Sequence, residues 1–203
     1  MDAAHWDEAY GRLGTTGVSW FRAHPEASLD LIAAIREVPA SAIDVGGGGA
    51  GPLPGAMLAA GIADVAVLDI SPTALDAARA ALGTRAADVR WITADIRDWQ
   101  PDRTWDLWHD RAVFHFMVAD ADRVAYRRAL AAALAPGGHV IAAAFAPDGP
   151  EQCSRLPVRR YTGRDLVAEM GDDLTLIDER REMHVTPSGA QQAFTWILAR
   201  RSS

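Results

Sequence analysis

Three aspartates at similar intervals carry the first chemical signal. Asp44 stands two residues before the run Gly46 to Gly49, Asp69 follows 25 residues later, and Asp95 closes a third apolar stretch. Glycines let a backbone approach a ligand closely and tolerate positive φ. A glycine loop alone suits a dinucleotide site equally well, or merely a tight turn from strand to helix. Asp44 discriminates, because pyrophosphate seeks helix N-terminal amides with no carboxylate beside them. A carboxylate there suits a positively charged group such as an amino-acid ammonium. Asp69, followed by Ile70, can accept both hydroxyls of a ribose, or serve as a cap-region residue before Ser71. Asp95 can accept from an adenine amino group while Ile96 packs the ring; the lesser alternative, taken alone, is an exposed turn aspartate.

Composition removes several other chemistries. All 20 basic residues are arginine, against 27 acidic residues, giving a formal charge of -7. Without lysine there is no Schiff-base catalysis, no phosphate-binding Gly-Lys-Ser/Thr motif and no Tyr-x-x-x-Lys pair. Alanine abounds (40 residues), so the bias reads as codon pressure. The acidic balance argues against nucleic acid as a partner. One cysteine, Cys153, permits no internal disulfide and fits a cytoplasmic location. No apolar stretch is long enough to span a membrane. No His/Cys cluster has metal-ligand spacing, so no metal is expected. Nothing sets the oligomeric state.

The elements that must position these residues alternate. Short apolar runs at Ala42–Val45, Val65–Leu68, Val89–Thr93, Leu107–Asp110 and Val140–Phe145 read as strands. Between them lie helical stretches at Leu53–Ala60, Thr73–Leu82 (capped by Ser71-Pro72) and Asp122–Leu134, the last ended by Pro136-Gly137-Gly138. Another helix, Leu29–Glu37, takes Ser28 as its N-cap, and one more is capped by Thr162. Leu174–Asp178 and Ala193–Ala199 are two strands with no helix between them. The pattern predicts an α/β fold: a Rossmann-like, seven-stranded, mainly parallel sheet with helices on both faces and a C-terminal antiparallel hairpin. In such sheets the ligand lies outside the carboxyl ends of the strands. Residues 1–203 read as one domain, with 28–203 the core and 1–27 a separate segment without a clean period.

The set Asp-x-Gly-x-Gly, Val-Leu-Asp-Ile-Ser, Ala-Asp-Ile and Leu-Ala-Pro-Gly-Gly-His-Val resembles the class I S-adenosylmethionine (SAM)-dependent methyltransferases over about residues 42–145. The resemblance implies methyl transfer from SAM to a nucleophilic N, O or S atom of a small-molecule or protein acceptor, with S-adenosylhomocysteine (SAH) as product. It implies that Asp44, Gly46 and Gly48 adjoin the methionine moiety, Asp69 and Ile70 the ribose, Asp95 and Ile96 the adenine, and the backbone of His109 the methyl side. The chain departs from the pattern in its Gly- and Pro-rich stretch 49–55, where Pro54 should shorten or displace the following helix. The N-terminal His5-Trp6-Asp7, Tyr10 and Ser19-Trp20-Phe21 are similar to small bacterial methyltransferases, and more distantly to lysine and thiopurine methyltransferases. That likeness makes Trp6, Tyr10, Trp20 and Phe21 a lid over the cofactor, with Arg12 meeting its carboxylate. Simple packing of a terminal helix explains the aromatics equally well.

His109 and Asp110, at the mouth of the fourth strand, are the first and second choices for a general base. Asp110-Arg111 reads otherwise as an ion pair, and His115 between two phenylalanines as packing. Arg155, Arg159 and Arg160 form a loop that can bind an acidic acceptor or simply face solvent. The alternative to methyl transfer is an NAD(P)-dependent oxidoreductase, which Asp44 disfavours; protein-lysine methylation is a narrower version of the main reading.

Overall fold

The computed structural model describes residues 2–203. Seven strands form one sheet in the order β3-β2-β1-β4-β5-β9-β8. The five parallel strands are β1 (Ser41–Val45), β2 (Asp64–Asp69), β3 (Val89–Thr93), β4 (Trp105–Arg111) and β5 (Leu134–Phe145). β8 (Leu174–Val185) and β9 (Gln191–Arg201) complete an antiparallel edge, as the absence of an intervening helix predicts. The order reverses between β1 and β4, which opens a crevice at their carboxyl ends.

Period-two alternation divides the core into two layers. Ile43, Val45, Ala66 and Leu68 face one way, against α5 (Asp120–Ala133) and α6 (Gly163–Met170). Ala42, Val65, Val67 and Leu107 face the other, against α2 (Glu26–Ala33), α3 (Leu53–Ala59) and α4 (Pro72–Leu82). No helix among the described residues is long and apolar enough to cross a membrane.

Several boundaries differ from expectation for identifiable reasons. The N-terminal segment contains α1 (Ala3–Leu13), whose Asp2 cap accepts from the His5 amide at 3.0 Å. Its buried residues Trp6, Ala9 and Tyr10 have helical spacing, masked in sequence by the glycines that follow. α2 starts at Glu26, so Ser28 lies within its first turn and caps nothing. α5 stops at Ala133, and β5 takes in Pro136 to Gly138 because the register shifts between Trp105 and Leu107. α3 still begins at Leu53: Pro54 sits in its first turn, where no amide is needed. The segment after β5 folds into a tight hairpin, β6 (Gln152–Cys153) and β7 (Leu156–Pro157).

Candidate active site

The loop leaving β1 is tied down at both ends. The Gly46 amide donates to the Leu68 carbonyl at 2.7 Å, and the Gly49 amide to that of Ala74 at 2.7 Å. Gly46 has φ 69°, and a Cβ there would lie 2.2 Å from Val113 Cγ2. A Cβ on Gly48 would lie 2.5 Å from Ala74 Cβ and 2.6 Å from Asp69 Oδ2. Both positions therefore demand glycine for steric reasons, and the loop offers bare backbone to the crevice.

Asp69 ends β2 directly beneath this loop. Its Oδ2 accepts from the Gly48 amide at 3.0 Å and its Oδ1 from the Ser71 amide at 2.9 Å. Burial pushes its pKa up to about 6, against the pull of those backbone hydrogen bonds. Asp69, Ile70, Asp95 and Ile96 line one cavity, which continues to Phe116 and Trp6. Asp95 also serves Arg97, whose guanidinium and amide both donate to it. Burial alone would raise Asp95; the Arg97 hydrogen bonds and charge outweigh it and hold the carboxyl below the usual range.

Asp44 lines a second cavity, together with Gly46, Gly48, Ser28, His109 and Trp196. β1 and β4 pair so that Asp44 and His109 are cross-strand neighbours. His109 Nδ1 lies 2.7 Å from Asp44 Oδ1, and its Nε2 lies 3.0 Å from Ser28 Oγ. A carboxylate only accepts, so Nδ1 carries a proton, and in the neutral ring the Ser28 hydroxyl then donates to Nε2. All three residues are buried. The arrangement fixes the Asp44 carboxylate and engages both nitrogens of His109. Ser28 escaped sequence reasoning because nothing local links it to a residue 81 positions away.

Asp110 is fully buried and already engaged. It faces the opposite layer, where it accepts from the Val113 amide at 2.8 Å, the Phe114 amide at 2.9 Å and the Tyr126 hydroxyl. Burial pushes it up to about 6 despite these donors. It does not pair with Arg111, since consecutive strand residues point to opposite faces, a signal the sequence already carried. His115 is fully buried between Phe116 and Phe145, with burial and the charge of Arg111 lowering its pKa to about 3. Cys153 is a buried thiol pushed up to about 12, unsuited to nucleophilic work.

The arginines are redistributed as well. Arg12 is exposed and lines neither cavity. Arg159 pairs with Glu169 and Arg160 with Glu151, while Arg155 sits exposed at the hairpin tip. Instead Arg22 and Arg111 reach the second cavity. Of the aromatics, Tyr10 donates to the Gly48 carbonyl at 3.3 Å, and Trp20 Nε1 donates to the Tyr10 hydroxyl at 3.0 Å. Trp6 packs edge-on against both Trp20 and Phe116. Tyr10 and Trp20 line both cavities.

Comparison with known proteins agrees with this geometry. A family model described as a methyltransferase domain matches residues 42–138. No curated protein matches the chain. Among solved structures, it is similar to one described as "Conversion of a Disulfide Bond into a Thioacetal Group during Echinomycin Biosynthesis", at 22% identity and TM-score 0.75, covering 98% of this chain and 93% of that one. It is similar to the 1,6-didemethyltoxoflavin-N1-methyltransferase of Burkholderia thailandensis, with bound 1,6-didemethyltoxoflavin and SAH, at 20% identity and TM-score 0.70, covering 99% and 84%. It is also similar to the N-methyltransferase NodS from Bradyrhizobium japonicum in complex with SAH, at 15% identity and TM-score 0.67, covering 98% and 99%. The oxidoreductase alternative finds no support here. The glycine cradle and the strand-end carboxylates fall within the matched methyltransferase domain, which together with these neighbours supports SAM-dependent methyl transfer, with SAM as methyl donor and SAH as product.

Proposed function

We propose that this chain methylates a nucleophilic nitrogen, oxygen or sulfur of a small-molecule acceptor. Its residues fit the cofactor: the side-chain-free backbone at Gly46 and Gly48 admits close approach, and Asp69 beside it can accept from a diol. Asp44, held by His109, would take the methionine ammonium; Asp69 and Ile70 the ribose; Asp95 and Ile96 the adenine; and Trp20 would cover the junction. When bound, SAM would supply an electrophilic methyl group on a sulfonium centre, with the thioether of SAH as the leaving group. The chain's task is then to align the reactants and exclude water. Residues 1–27 act as the lid on a 28–203 core, within one domain spanning 1–203. A cytoplasmic setting belongs to this reading, supported by the lone cysteine.

The observation that carries a small acceptor is the aromatic enclosure. Trp6, Trp20 and Phe116 form edge-on contacts where the cavity that would take the adenosine continues toward α1, a setting that suits a compact apolar body better than a protein side chain. The 1,6-didemethyltoxoflavin bound to the Burkholderia thailandensis enzyme is a small molecule too. Methyl-labelled SAM incubated with the protein and a cell extract tests this. Label is expected in the low-molecular-mass fraction; label confined to protein would reject the proposal.

A further inference from the structure

Arg111 is the one charged side chain that lines both cavities. Its Nη1 donates to the Trp20 carbonyl at 2.7 Å. Its Nε and Nη2 are closed off from solvent and have no hydrogen-bond partner among the described residues. Burial and the nearby Arg22 draw its pKa down to about 10, so it remains a cation at neutral pH. Leaving charged donors unmatched in such a place is strongly unfavourable.

Among the described residues no carboxylate forms an ion pair with it. Glu182 lies close enough to act on it electrostatically, yet that carboxylate accepts from Arg22 and from Trp196 Nε1 at 2.7 Å. Asp44 is engaged by His109. The Asp110 carboxylate faces the other layer and serves Val113, Phe114 and Tyr126. Cys153, on the same cavity wall, stays a neutral thiol. The guanidinium lies over the Phe194 ring at 5.3 Å, which orients its plane but satisfies none of its N–H groups. Immediately after it, Ala112 is held at φ 71°, a conformation disfavoured for a residue with a side chain. The chain thus carries backbone strain next to an unmatched buried charge, both at the cavity wall.

We infer that Arg111 is the anchor for an anionic group of the acceptor, so that the acceptor is an acid with a flat apolar body. The paired N–H groups left free on a guanidinium match the two oxygens of a carboxylate. Trp6, Trp20 and Phe116 supply the apolar surface beside it. An anion at this point also separates the guanidinium from the positive sulfonium that the cofactor brings to the same crevice. Arg155, Arg159 and Arg160, the sequence's choices for an acidic acceptor, are exposed or already paired.

The inference rests on the cofactor reading above, and the test separates the two. SAH-saturated protein is titrated calorimetrically with benzoate and with its neutral isostere benzamide. Benzoate should bind at least tenfold more tightly than benzamide. Arg111→Gln should erase that preference while leaving SAH affinity within about threefold, and Arg111→Lys, which keeps the charge, should retain part of it. Equal binding of benzoate and benzamide by the wild-type chain overturns the inference alone and requires no variant. A loss of SAH affinity above tenfold in Arg111→Gln, with 5′-methylthioadenosine affinity unchanged, also overturns it, because the guanidinium would then hold the cofactor's own carboxylate. A protein that binds no SAH overturns the cofactor reading and the inference with it.

Discussion

Asp69 shows how one buried carboxylate can couple ligand binding to pH. Its two backbone donors orient it, while burial raises its pKa to about 6. A ribose diol donates to the ionised form. SAH affinity should therefore be full above pH 7 and fall as pH drops through about 6, when the carboxylate of the free protein takes up a proton. Asp69→Asn should lose about 1–3 kcal/mol of SAH binding at pH 7.5, and its affinity should be flat between pH 5 and 7.5. Calorimetry across that range decides it; a variant as pH-dependent as the wild type would place the titrating group elsewhere.

At the scale of elements, the β6–β7 hairpin stores strain. Its two turn residues, Ser154 (φ 50°) and Arg155 (φ 63°), both adopt left-handed backbone conformations without being glycine. Two-residue hairpin turns require this twist, and glycine supplies it with least strain. The turn also touches the proposed lid, since Ser154 Oγ lies 3.2 Å from His5 Nε2 on α1. Arg155→Gly should stabilise the protein by about 1 kcal/mol. A rise in the urea midpoint with unchanged slope would show it, and an unchanged or lowered midpoint would mean that the side chain outweighs the strain. The same scale explains what sequence periodicity missed. The α1 stripe of Trp6, Ala9 and Tyr10 is brief, and only its seat over the glycine loop makes the helix worth forming.

For the whole molecule, buried titratable groups pull stability in opposite directions with pH. His115, lowered to about 3, contributes stability that is present above its ordinary value near 6.5 and is lost as pH falls toward 3. Asp69 and Asp110, both raised to about 6, contribute stability that is full below the ordinary carboxylate value and is lost as pH rises through 6. The histidine can be isolated by difference. Between pH 7.5 and 5, wild type should lose about 2 kcal/mol relative to His115→Leu. Chemical denaturation of both proteins at the two pH values measures this directly, and parallel pH profiles would refute it.

The sequence by itself determined the elements and their class. Strand-helix alternation, the Ser71-Pro72 cap and the paired C-terminal strands are local signals, because side-chain period and capping act over a few residues. The strand-end aspartates were legible for the same reason: a loop after an apolar run must lie at the sheet's edge. Partnership was decided only by the tertiary structure. The strand order sets β1 beside β4, bringing Asp44 onto His109 and, through α2, Ser28 onto the same ring. That contact engages both ring nitrogens of the sequence's favoured base. The two faces of β4 likewise send Asp110 into one layer and Arg111 into the crevice. Adjacent residues on a strand share a position but not an environment, and environment determines which of them meets a ligand.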